Sequence, residues 1–88
     1  MTQFHFPKSI DHGHVVVGPT HVMVSCGWTV YIPMARAVRY ADRGPGKAAQ
    51  GFRLHAGYMI LTHRGNSITL PEATGLDLIH AIKTTHHR

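Results

Sequence analysis

The chain has 88 residues, 43% hydrophobic content and a formal charge of +5, from nine Lys and Arg against four Asp and Glu. That length gives one domain, read as a single compact unit over 1–88, and the apolar content excludes a disordered tail. One cysteine excludes an internal disulfide, and the longest apolar runs, VVV and MIL, are too short to cross a bilayer.

Residues 1–13 (MTQFHFPKSIDHG) mix aromatics with Pro, Lys, Asp and Gly, and read as an irregular N-terminal arm pinned by Phe4 and Phe6. There is no apolar targeting segment here, so a cytoplasmic, reducing location is expected. The β-branched runs 14–17 (HVVV) and 20–26 (THVMVSC) are split by Gly18-Pro19, a turn signal. Residues 28–32 (WTVYI) alternate, with Trp28, Val30 and Ile32 on one side. Runs 20–26 and 28–32 read as a hairpin about Cys26-Gly27, or as one strand bent at a bulge.

Pro33 suits a first helical turn, and Met34, Ala37, Val38 and Ala41 then make an apolar stripe. Arg36, Arg39 and Arg43 line a neighbouring stripe, with Tyr40 beside them. Three alanines in seven residues favour helix over 33–43; the rival is a strand alternating through Met34, Arg36, Val38 and Tyr40. Residues 44–51 (GPGKAAQG) read as a flexible loop. Runs 52–56 and 58–63 are strand-like, RGN at 64–66 is a turn, and SITL at 67–70 returns as a strand. The segment 71–85 opens with Pro71 and Glu72 and reads as a helix with Leu78, Ile79 and Ile82, and Leu76 nearby, on its apolar face. Gly75 is unfavourable there unless the helix packs closely on the sheet. No internal repeat is read in the chain. The fold class is α+β, an antiparallel sheet of four to five strands packed against one or two helices.

Nine histidines raise the question of a metal. His12 and His14 form an H-x-H pair whose side chains would share a strand face, with His5, His21, His55 or His63 as a third ligand. Without H-E-x-x-H or C-x-x-C these two are weak candidates, and no cofactor is assigned. Cys26 and His21, five residues apart, fall on opposite faces of a strand, so they do not make a nucleophile and base. The chain shows no catalytic motif and is read as non-enzymatic, although a constellation of histidines across strands would leave no local trace. The G-P-G-K at 44–47 lacks the strand and Ser/Thr of a phosphate loop.

The cations therefore carry the functional reading. Arg36, Arg39, Arg43, Lys47 and Arg53, with Tyr40 adding stacking or contact area, form the expected binding ridge. The expected partner is an acidic protein or a nucleoprotein complex, engaged as an inhibitor or accessory factor of the kind mobile elements encode. One alternative is direct nucleic-acid binding, for which five phosphate contacts give a log–log salt slope of about −3.5 on single strands and −4.5 on duplex. Another is a histidine metal site or small hydrolase. No aromatic RNA-recognition run and no helix-turn-helix is present. An edge strand such as 14–17 is also expected to pair with a second copy.

Overall fold

The computed structural model describes residues 2–6, 13–46 and 49–86. Seven strands and two helices run in the order β1 (Thr2–Phe6), β2 (Gly13–Val17), β3 (His21–Cys26), β4 (Trp28–Pro33), α1 (Met34–Arg43), β5 (Gly51–His55), β6 (Tyr58–His63), β7 (Asn66–Pro71) and α2 (Glu72–His86). The fold is α+β with antiparallel sheets. It has two sheets rather than one, of order β1-β2-β3-β4 and β5-β6-β7. The stretch Thr2–Phe6, expected to be irregular, is a strand in register with β2, with Thr2 opposite Val17 and Phe6 opposite Gly13. β2 is thereby paired on both sides, by β1 and β3, so it is not the free edge expected at 14–17.

Residues 33–43 resolve as helix. Pro33 ends β4 and caps α1, and the Gly44 N–H closes the far end onto the Tyr40 and Ala41 carbonyls. The turn at Cys26-Gly27 makes a hairpin, with Cys26 directly opposite Trp28.

The chain also contains a repeat that its residue identities conceal. β2-β3-β4-α1 and β5-β6-β7-α2 are each a three-stranded meander followed by a helix. In the first half, Val24 pairs with Val30 and Val22 with Ile32. In the second, Leu61 pairs with Ile68 and Met59 with Leu70. All eight of these side chains are buried. Outward-facing hydroxyls next to each turn bond across the hairpin in both halves: Ser25 to Thr29 and Thr62 to Ser67, each at 2.9 Å. Each helix follows a strand-ending proline, Pro33 or Pro71, and in each the first N–H donates to a carbonyl preceding its half's middle strand. Met34 bonds Thr20 at 2.9 Å, and Glu72 bonds Gly57 at 3.3 Å.

The halves are interlocked. α1 packs on its own β3 and β4 and on β5 of the other half; α2 packs on its own β6 and β7 and on β2. The two helices touch each other, as do β4 and β7, which is the pattern of an approximate two-fold axis between them. One continuous core results, with Val15, Val17, Val22, Val24, Ile32, Met59, Leu61, Leu70, Leu78 and Ile82 almost completely buried. Gly75 is the close approach that a helix-weakening residue suggested: a Cβ there would lie 2.5 Å from Met59 Cβ and Cγ. No helix among the described residues is long and apolar enough to cross a membrane.

Candidate functional site

Successive helical residues are rotated by about 100°, which places Arg36, Arg39 and Arg43 within an arc of roughly 60° on α1. All three are exposed, opposite the buried Ala37 and Ala41. Asp42, the one acid on this helix, lies beside the arc rather than within it.

The six expected binding residues do not all join this face. Arg43 is turned back on its own fold: a guanidinium N–H donates to the Gln50 carbonyl, and its carbon sits 5.7 Å from the Tyr40 ring centre. It holds the end of α1 against the start of β5. Gly51, at φ 101°, leaves room for this contact, since a Cβ there would run into the Arg43 guanidinium and lie 3.2 Å from the Tyr40 ring. Arg53 is exposed on β5, where it alternates with the buried Phe52. Lys47 lies outside the described residues, as does His12. His14 is half-buried on β2 and approaches Gln3 at 3.4 Å. No group of three or more His, Cys, Asp or Glu able to hold a metal occurs among the described residues.

Tyr40 is the main correction. It is not an exposed stacking surface: it is 5% exposed and belongs to the core. On the helix it lies about 40° from Arg36, at the margin of the buried face, with the Arg43 guanidinium over its ring and further polar neighbours at its hydroxyl. That hydroxyl lies 2.9 Å from His63 Nδ1, with the rings edge to face at 5.9 Å, and 3.4 Å from Gln50 Oε1. Gln50 Oε1 also accepts the Arg64 backbone N–H at 2.8 Å. The carbonyl and side chain of Gln50 therefore tie α1, the segment before β5 and the β6–β7 turn together.

These groups form the floor of a cleft of about 320 Å³ lined by Ala35, Arg36, Tyr40, Gln50, His63 and Arg64. A second cleft of similar size shares Pro33, His63 and Arg64 with it, and adds His21, Tyr31 and Asn66. Burial lowers the His63 pKa below the ordinary histidine value, and the Arg64 and then the Arg36 guanidiniums lower it further. Near neutral pH the imidazole is uncharged, in a site whose other lining side chains include two permanent cations and no acid.

Sequence reasoning singled out Arg36 and Tyr40 but missed Arg64 and Gln50, and considered His63 only as a metal ligand. Tyr40 and His63 are 23 residues apart, so no local spacing links them. A usable signal did exist. Aligning V-x-I-P-x-A-x-A at 30–37 with I-x-L-P-x-A-x-G at 68–75 places Tyr40 opposite Leu78. Aligning the hairpins from Ser25/Thr29 and Thr62/Ser67 places His63 opposite Cys26. No protein-family model, curated protein or solved structure matches this chain.

Proposed function

We propose that this chain is a small, non-enzymatic basic binding module that engages an acidic protein surface, alone or within a nucleoprotein complex, as an inhibitor or accessory factor. The observation that carries this reading is the clustering of Arg36 and Arg39 on one exposed arc of α1, continued by Arg64 across the cleft. Guanidiniums suit such a surface because their planar N–H groups meet carboxylates two at a time. An acidic protein is favoured over a nucleic acid because the exposed cations described on this face, Arg36, Arg39 and Arg64, are few for a phosphate track; Tyr40 is buried, and the exposed aromatic beside Arg64 is Tyr31.

The test is charge reversal at the two arginines that have no structural duty. Arg36→Glu/Arg39→Glu is expected to fold as the wild type does and to lose a partner recovered from the source cell by the wild-type protein. Retention of that partner by the double variant overturns the reading. Binding to single strands or duplex with the salt slopes given above would instead assign direct nucleic-acid recognition.

A further inference from the structure

The two helices start from matching positions and differ in charge. α2 carries Glu72 in its first turn. α1 has no acid there, and no side chain caps it. The Met34 N–H is satisfied by Thr20. The next two N–H groups, those of Ala35 and Arg36, belong to the turn that has no acceptor within the helix. Both residues line the cleft, so the positive end of the helix dipole opens into it beside the Arg36 and Arg64 side chains.

A helix end by itself is an ordinary solvated terminus. The second observation is His63, 8% exposed and yet part of the cleft lining. Its Nδ1 is held by Tyr40, while Nε2 has no hydrogen bond within the protein. No buried polar side-chain atom among the described residues lacks a partner, so Nε2 is open to solvent, in one of the two clefts that His63 lines. With His63 protonated, both ring nitrogens donate, Nδ1 to the Tyr40 oxygen and Nε2 outward, while the Tyr40 O–H is given to Gln50. The repeat adds a third argument. Cys26 and Leu78 fill the positions equivalent to His63 and Tyr40, so the architecture does not require a buried polar pair at this place.

We propose that this cleft is a seat for an oxyanion group, a carboxylate or a phosphate, bound by the Ala35 and Arg36 N–H groups, the Arg36 and Arg64 guanidiniums and His63 Nε2. It deepens the reading of an anionic partner, on which it rests, by naming the group recognised and where it sits. The groups around His63 are Tyr40 and Arg36 from α1, Gln50 ahead of β5, Arg64 and Asn66 from the β6–β7 hairpin, and His21 and Tyr31 from β3 and β4. None is acidic, so a bound oxyanion brings the negative charge that the lining side chains lack. Binding then favours protonated His63, and the Tyr40 hydroxyl serves that state, accepting from Nδ1–H while its own O–H turns to Gln50.

The test follows the His63 ring by NMR through a pH titration in chloride, in inorganic phosphate and in acetate at equal ionic strength. Phosphate or acetate is expected to raise the His63 midpoint and to leave the exposed His55 and His80 unchanged. Ala35→Glu puts a carboxylate at an exposed first-turn position where an acid suits the helix. It is expected to melt as the wild type does and to weaken the anion response by roughly tenfold or more. A response to phosphate alone assigns a phosphate group; an equal response to acetate assigns a carboxylate. Identical His63 titrations in all three salts overturn the proposal, as does a full response in Ala35→Glu. Arg39 does not line the cleft, which separates this proposal from the reading it rests on. Loss of the partner in Arg39→Glu with no anion response at His63 keeps the ridge and removes the seat. An anion response without an acidic partner does the opposite.

Discussion

The first and second halves of this chain solve the same folding problem with different interiors. Both build a three-stranded meander, turn at a proline into a helix, and pack that helix partly on the other half. In the first half the hairpin end is finished with Cys26, partly buried against the hydrophobic core, and the matching helix position of the second half holds Leu78, within that core. At the pseudo-equivalent place His63 meets Tyr40 and is surrounded by Arg36, Arg64 and Gln50. Positions that agree between the halves are those the architecture needs. The positions that differ, at one end only and in a polar direction, are those of the proposed anion seat.

The largest effect is expected at Gly75, whose counterpart in α1 is Ala37. Gly75→Ala gains up to about 1 kcal/mol in helix propensity but drives a methyl into Met59 Cβ and Cγ, an overpacking cost of about 1–3 kcal/mol or more that outweighs the gain. The reverse change, Ala37→Gly, is expected to cost about 1 kcal/mol, and chemical denaturation of the pair measures the asymmetry.

Next is the polar pair. Tyr40→Phe leaves His63 Nδ1 without its partner and is expected to cost about 1–3 kcal/mol. Replacing both members with their counterparts, Tyr40→Leu/His63→Cys, leaves no unpaired polar atom there and is expected to be less destabilising than the two single changes summed. A double-mutant cycle reads the difference as a coupling energy. Strict additivity would show that the two side chains do not act as a unit.

A third expectation concerns pH. The His63 pKa lies below the ordinary value of 6.5 in the folded chain, so the unfolded chain binds the proton more tightly. The resulting stability is present above pH 6.5 and is lost as pH falls through the folded value. Thermal melts across this range should show the loss in the wild type, and a smaller one in Tyr40→Leu/His63→Cys. The smallest effect tests the agreement between halves: Ser25→Ala and Thr62→Ala each remove one cross-hairpin hydroxyl pair, and each is expected to cost about 0.5–1 kcal/mol.

Much of the scaffold was legible, because alternation in 20–26, 28–32 and 58–63 and the Pro-Met-Ala and Pro-Glu-Ala starts are local signals. Thr2–Phe6 was not, since its pairing with β2 is set by register across the sheet rather than by its own composition. The repeat was missed because the halves share apolar character and turn positions, but few identities beyond Pro33 and Pro71 with Ala35 and Ala73. At the site, the helical spacing of the arginines was readable, and so was their exposure. The fate of Tyr40 was not. Its place at the margin between the apolar and cationic stripes fits either an inward or an outward ring, and the choice is made by His63 and Gln50, which arrive from elsewhere in the chain.

The exchange of packing partners, with α1 resting on β5 and α2 on β2, has a consequence for cutting the polypeptide. Neither half alone covers its own interior, so a chain severed between Gly44 and Gly51 yields two fragments that remain unstructured apart. Mixed together, they are expected to reconstitute the native assembly, and each would serve as the template on which the other acquires shape.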